Sequence, residues 1–400
     1  MEGEGFAVAG FGGVDGVVEQ AELVVELAGR GRAGYNARVI ARRPTTTVDV
    51  GSVRLGSCAP VVVQSMTKVP TTDIARCVGQ INELAEAGCA LVRVAVPRRA
   101  DTAALAEIVK QVDIPLIADV HFSPARALEA IEAGAAKIRL NPGNIKNPED
   151  IHRIIDAAKS HKVAIRIGVN EASIRDLSRE PVPPEKRTEL MLDEMRGYIR
   201  QFEDRGFDQI VLSAKSSDTV RTIEVNRRIA EAFRYPMHLG LTHAGLPDDA
   251  RIPSAVALGA LLAEGIGDTI RVSAAGDPVI ETEMAVQILV ALGLRQRSGP
   301  ELIVCPTCGR TEIDVISLAR QVEKALRKLK TACRVAVMGC VVNGPGEAAD
   351  ADFAVCAAKD KGYLYQHGRK IATVPQAQII PRLLAAISEF DTSRQESPVS

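Results

Sequence analysis

The chain has 400 residues, 46% of them apolar and 25% charged, with 49 basic and 50 acidic side chains and a net charge of −1. That balance, with no Trp and only 3% aromatics, excludes a basic nucleic-acid-binding face and base-stacking platforms. No apolar run reaches the ~20 residues a membrane helix requires, so a globular, cytoplasmic protein with no membrane partner is expected.

Residues 1–42 read as an N-terminal extension, glycine-rich and partly disordered at its tip, with a short amphipathic helix over 17–28. It lacks the basic start and apolar core of a signal peptide. The eight cysteines of so long a chain then belong to a reducing compartment, where Cys58, Cys77, Cys89, Cys333 and Cys356 read most simply as small buried hydrophobes.

From residue 45 the pattern is regular. T-T-V-D-V-G-S-V-R-L-G predicts a hairpin about Gly51. Short β-rich runs follow at Val61–Gln64, Leu91–Val96, Leu116–Val120, Lys137–Leu140, Val163–Val169, Gln209–Ser213, Met237–Leu241 and Thr269–Val272. Amphipathic segments alternate with them near 72–87, 100–111, 124–133, 148–160, 185–205, 217–234, 253–264 and 279–292. Eight βα units over residues 43–297 predict a (β/α)8 TIM-type barrel, with the hairpin capping its N-terminal mouth. The absence of G-x-G-x-x-G makes an open doubly wound sheet the weaker alternative.

Beyond Arg297-Ser298-Gly299-Pro300, residues 298–390 predict a small α/β domain. Its strands are expected at Leu302–Val304, Arg334–Met338, near Phe353–Cys356 and near Tyr363–Gln366, with helices over 313–329 and 376–389. Residues 391–400 form a polar tail.

Parallel barrel strands should read as continuous apolar runs, yet these carry Arg93, Arg139, Arg166, Lys215 and Arg271 at or near their C-terminal ends. Burying unpaired cations costs several kcal/mol, on the order of a lost ion pair each, so they need anionic partners. Pairing with Asp119, Glu264 or Asp268 would satisfy two or three of them. Five cations converging on one mouth point to a bound phosphate or diphosphate. Asp119 and His121, two residues apart on one face of a strand end, and Asn141, Asn170 and His243 edge the same mouth. His152, His161 and His367 are assigned to surface or packing roles.

In the smaller domain C-P-T-C-G-R (305–310) is answered by G-C-V-V-N-G-P-G-E (339–347). Cys305 and Cys308 share a turn that aims both sulfurs one way, and the tight turn Gly344-Pro345-Gly346 returns Glu347 toward Cys340. Three thiolates with one carboxylate suit neither a closed zinc site nor an all-cysteine iron–sulfur site. A cluster held by such a set would keep one weakly bound iron, a place for substrate oxygen. A structural or hydrolytic zinc site with Cys333 or Cys356 as fourth ligand remains the alternative, as does a phosphosugar-binding barrel without chemistry.

These motifs, with V-Q-S-M-T, A-D-V-H-F, R-L-N-P-G-N-I, R-I-G-V-N and E-G-I-G-D-T-I-R-V-S, closely resemble the hydroxymethylbutenyl diphosphate synthase (IspG/GcpE) family in its compact two-domain bacterial form. The resemblance spans about residues 43–390. It implies one 4Fe–4S cluster on Cys305, Cys308, Cys340 and Glu347. It likewise implies a cyclic diphosphate held by Arg93, Arg139, Arg166, Lys215 and Arg271, with Asn141, Asn170 and Ser273 assisting and Asp119 and His121 lining the pocket. The implied reaction is a two-electron reductive ring opening fed by ferredoxin or flavodoxin. A homodimer in which one cluster domain closes over the partner's barrel is implied as well. Where many members read T-E-A-G, this chain reads Thr242-His243-Ala244-Gly245, which makes His243 the candidate proton donor.

Overall fold

The structure, a computed structural model, describes residues 40–57, 59–145, 147–171, 182–242, 245–341 and 344–396, the side chains of Glu347 and 392–396 excepted. The helix expected over 17–28, together with Cys58, His243 and the Glu347 carboxylate, lies outside the described residues. A hairpin of β1 (Val48–Val50) and β2 (Val53–Leu55) leads into eight parallel strands. They are β3 (Val62–Met66), β4 (Leu91–Ala95), β5 (Leu116–Asp119), β6 (Lys137–Leu140), β7 (Ala164–Asn170), β8 (Ile210–Lys215), β9 (His238–Leu239) and β10 (Thr269–Ile270). Their order is β8-β7-β6-β5-β4-β3-β10-β9. A parallel bridge between Leu212 and Met237 closes the ring, with Leu212 N donating to Pro236 O at 2.8 Å and Thr242 N to Ser216 O at 3.0 Å. The expected TIM-type barrel is present.

The helices between the strands are α1 (Ile74–Glu86), α2 (Arg99–Ile108), α3 (Pro124–Glu132), α4 (Pro148–His161), α5 (Pro184–Glu203), α6 (Thr219–Ala232), α7 (Pro247–Ala263) and α8 (Pro278–Ala291). Their starts are written in the sequence. Asp73, Ser123, Asn147, Asp218 and Asp277 each accept a backbone N–H of the first turn, and proline opens α3, α4 and α8. One start departs from expectation. Pro253 reads as a beginning, but α7 starts six residues earlier at Pro247 and runs through Pro253 near its second turn.

Strand residues pointing outward, such as Val92, Val94, Ile138, Ile165, Ile167, Leu212 and Leu239, join the helices in one apolar core. Inward residues at the N-terminal end, Val62, Leu91, Ile117, Ala164 and Val211, pack instead against Val48, Val50 and Leu55 of the hairpin. The hairpin therefore seals that end with apolar side chains, as expected. Arg42 and Arg43 stitch the approaching chain to the same end: Arg42 reaches Gly267 O (2.8 Å) and Asp268 (2.7 Å), and Arg43 reaches Phe233 O and Tyr235 O.

The second core is separate. Strands β11 (Glu301–Val304), β12 (Arg334–Met338) and β13 (Phe353–Ala358) are parallel, and β14 (Lys361–Gln366) and β15 (Arg369–Pro375) continue the sheet antiparallel. Helices α9 (Val315–Leu326) and α11 (Ile379–Glu396) cover one face. The sequence reading missed β15, an edge strand of which only Val374 is buried, so that no alternation announces it. It also expected a tight turn at Gly344-Pro345-Gly346. The chain instead makes one helical turn, α10 (Gly344–Glu347), since proline suits a first helical turn and Ala348 N closes on Gly344 O at 3.0 Å.

Candidate active site

Strand register sets the inward side chains of the barrel in rings. Asp119 stands beside Arg139, Arg139 beside Arg166, and Asn170 beside Lys215. With the strand tilt of an eight-stranded barrel, Arg93, Arg139, Ser213 and Arg271 share one ring. The ring above holds Met66, Asp119, Gly168 and Gly240, and the ring below holds Gln64, Ile117, Arg166 and His238. Such rings are ordinarily filled by branched apolar residues. Here two glycines open the upper ring and guanidinium groups fill the next.

Arg93, Arg139, Arg166 and Lys215 are all buried. Asp119 is the hub: its carboxylate lies 3.4 Å from Arg139 Nη1, 3.8 Å from Arg93 Nη1 and 3.3 Å from His121 Nε2. Burial would raise its pKa, but Arg93, the His121 hydrogen bond and Arg139 outweigh that and hold it well below the usual carboxylate range. Arg139 Nη1 also approaches the His121 ring nitrogens at 2.9 Å. Thus Asp119 and His121, expected on one face, do meet. Arg93 rests against Met66 Sδ at 3.1–3.3 Å, and burial lowers its pKa to about 10.

Arg166 is less satisfied. Its Nε and Nη1 have no hydrogen-bond partner, and burial with Arg93 and Arg139 nearby lowers its pKa well below normal. Lys215 is shifted the same way by burial and by Arg166 and Arg271. Gly240 is what gives Lys215 room against the neighbouring strand, because a Cβ there would lie 2.6 Å from Lys215 Nζ and 2.6 Å from Arg271 O. Asn141 Oδ1 accepts from Gly143 N at 3.1 Å and so shapes the turn after β6, while Asn170 ends β7 and Ser273 lies just beyond β10, half-buried.

Internal neutralisation works differently from expectation. Glu264 pairs with Arg227 at the surface, and Asp268 serves Arg42 and Met237 N at the sealed end. Neither reaches the site cations, because the strand ends that carry them point away from the mouth. The sequence reading missed Glu281 of α8, which is buried 3.3 Å from Arg271 Nη2, 2.9 Å from Lys68 Nζ and 3.3 Å from Ser65 Oγ. Nothing in the sequence separates it from Glu283 of the same helix as the inward acid. Glu171, also missed, is buried between Arg187 (2.6 Å) and Arg221 (3.0 Å) beside Ser216. Lys137 and His238, both wholly buried inside the barrel, were passed over too. Lys137 opens its strand where a surface lysine is common. His152, His161 and His367 make the local surface contacts expected of them.

In the second domain the cysteines of the two motifs stand beyond the C-terminal ends of β11 and β12. Gly339 N donates to Cys305 Sγ at 3.3 Å, and Cys305 N donates to Val337 O at 3.1 Å, so the two motifs are tied together. Hydrogen bonds from Arg310 lower the pKa of the exposed Cys308 thiol, favouring the thiolate that metal ligation requires. Cys340 is close enough to act electrostatically on Cys308 and on Cys356. Cys333 is set apart: its carbonyl pairs with Glu301 N at the opposite end of β11. Four strand residues, on the order of 13 Å, separate it from Cys305, which removes it as a fourth ligand. Cys356 lies beneath, buried and with its thiol pKa raised by burial to about 12, so it is a poor thiolate donor. Among the described residues no three His, Cys, Asp or Glu side chains are gathered tightly enough to hold a single ion.

Residues 45–286 match the family model described as the GcpE TIM-barrel domain, and residues 301–389 match the GcpE protein C-terminal domain. A protein of Nitratidesulfovibrio vulgaris called 4-hydroxy-3-methylbut-2-en-1-yl diphosphate synthase (flavodoxin) is 45% identical over 90% of this chain and 92% of its own. Proteins of the same name from Geobacillus thermodenitrificans (44%, covering 88% and 94%) and Aquifex aeolicus (42%, covering 88% and 98%) are similar over comparable lengths. Among solved structures, dihydropteroate synthase of Stenotrophomonas maltophilia aligns with 62% of the chain and 98% of its own at 16% identity and a TM-score of 0.48.

Proposed function

The chain belongs to the GcpE family, and from that premise we propose that it reduces 2-C-methyl-D-erythritol 2,4-cyclodiphosphate to (E)-4-hydroxy-3-methylbut-2-enyl diphosphate. The reaction consumes two electrons and two protons, opens the ring at a carbon–oxygen bond and releases one water. The reading is carried by the strand-borne cations, Arg93, Arg139, Arg166, Lys215 and Arg271, which outnumber the carboxylates Asp119 and Glu281 at the same mouth. A cyclic diphosphate supplies the missing negative charge.

The donor set fits an iron–sulfur cluster held by Cys305, Cys308, Cys340 and Glu347. Two of the cysteines lie three residues apart, a backbone N–H already points at Cys305 Sγ, and Arg310 favours a thiolate at Cys308. When bound, a 4Fe–4S cluster supplies the electrons one at a time. The protein's own residues bind and neutralise. The guanidinium groups grip the diphosphate, Asp119 fixes Arg93 and Arg139 before the ligand arrives, and Gly168 and Gly240 leave the room. His121 is half-exposed at the mouth, and its Nε2 is placed to hold a proton between Asp119 and an incoming ligand. Asn141, Asn170 and Ser273 complete the rim, and His243 is proposed as the proton donor on the next loop.

The relatives' name favours flavodoxin over ferredoxin as electron donor. A homodimer is proposed in which the partner's cluster domain completes each site, supported by the exposed apolar residues Leu246, Ile252 and Val256 on and beside α7. No helix among the described residues is long and apolar enough to cross a membrane, and Cys77, Cys89, Cys305, Cys308 and Cys356 form no disulfide, which fits a reducing cytoplasm. The test is anaerobic purification with iron and sulfide quantification, followed by turnover of the cyclic diphosphate with reduced flavodoxin. Iron, sulfide and an allylic diphosphate product are expected. Bound zinc without iron, or binding without product, would overturn the reading.

A further inference from the structure

One buried cation has no role in the account above. Lys137 is the largest fully buried side chain in the barrel, and its Nζ has no hydrogen-bond partner. By register it lies one ring below Arg166 and two residues below Arg139 on the same strand. Its polar surroundings are equally unsatisfied: both side-chain polar atoms of Gln64, both ring nitrogens of His238, Ser213 Oγ and Thr269 Oγ1 lack partners. Orphaned polar atoms at this density are rare in folded interiors, so the space beneath the arginines is built for water or charge rather than dry packing.

The charged groups that bear on this position are nearly all of one sign. Arg166 and Arg93 act directly on Lys137, and Lys137 acts with Lys215, Arg166 and Arg93 on His238. Arg139 stands higher on the same strand, and Arg271 stands higher at the end of β10. The carboxylates Asp119 and Glu281 already hold Arg93, Arg139 and Arg271. An ammonium below this layer therefore has no free counter-ion until a ligand brings one.

We propose that Lys137 is a further binding residue for the dianionic ligand: neutral while the arginines are empty, it takes up a proton as the dianion settles on them. The inference rests on the diphosphate reading of the barrel. In the free protein, burial together with Arg166 and Arg93 lowers the Lys137 pKa to about 7. A nearby dianion raises it again, so binding takes up a proton at any pH between the free and liganded values, and affinity falls as pH rises through that window.

The experiment is calorimetric titration of the cluster-loaded, oxidised full chain with the cyclic diphosphate, without electron donor, in two buffers of different ionisation enthalpy. At about pH 8, wild type should take up a substantial fraction of a proton per ligand. K137M should take up measurably less and bind about tenfold more weakly, one pKa unit's worth, with unchanged iron content. If K137M does not fold, K137Q is read the same way. Equal uptake in wild type and variant overturns the proposal, as does a wild-type affinity that is flat from about pH 6.5 to about pH 9. Failure of wild type to bind the cyclic diphosphate at all is a different outcome, because it removes the parent reading and this one with it.

Discussion

Arg93, Arg139 and Arg271 stand on the barrel strands and are held by Asp119 and Glu281, whereas the candidate ligand cysteines stand on loops, with Cys308 exposed and Cys305 and Cys340 partly so. The first arrangement is largely in place before any ligand arrives, because register sets every side chain and ion pairs hold Arg93, Arg139 and Arg271, while Arg166 keeps Nε and Nη1 unpartnered. The second has one backbone hydrogen bond onto Cys305 and an arginine beside Cys308. The contrast teaches that charge recognition belongs to the scaffold here, while the proposed cluster site lies on segments that a bound group would organise.

Four measurements sharpen or break that division. Cys340→Ser should abolish turnover and lose most of the iron while leaving affinity for the cyclic diphosphate within about twofold, since the two sites use separate cores. A large loss of affinity would show that the thiol loops also build the anion site. Arg139→Ala should weaken binding by about 100-fold, the roughly 3 kcal/mol typical of breaking a buried charge pair, with iron content unchanged. Lost iron in that variant would refute the separation. Gly240→Ala should raise KM by about tenfold, because the new methyl must displace Lys215 or the strand itself. Thermal denaturation across pH gives the smallest effect. Lys137 has an ordinary value of 10.5 when unfolded and about 7 when folded, so the unfolded chain holds the extra proton between them. Stability of the ligand-free protein should therefore rise with pH across that window, helped by Lys215, with Tm gaining about 1 °C for each ~1 kcal/mol in a chain this size. K137M should flatten the rise.

Much of this was legible in the sequence, and the misses have physical causes. Arg93, Arg139 and Arg166 announce themselves because a charge inside an apolar run has no structural excuse. Lys137 has the same anomaly but stands first in its strand, where chain ends usually meet water; only closure by the hairpin buries it. Glu281 escaped because helical periodicity does not say which acid on α8 turns inward toward Arg271. Glu264 and Asp268 were credited with pairing because sequence gives proximity along the chain and not which end of the barrel a residue faces. Cys333 lies seven residues before Cys340, yet the pleat places it at the far end of the sheet.

The apolar hairpin at β1 and β2 has a kinetic corollary. A vessel stoppered at one end has a single doorway, so substrate, spent water and product must all pass the rim formed by His121, Asn170 and Lys215. Under the proposed homodimer, a partner's cluster domain seated over that rim would also bar the exit. Each turnover would then include an uncovering event, and departure, as well as reduction, would limit the steady-state rate.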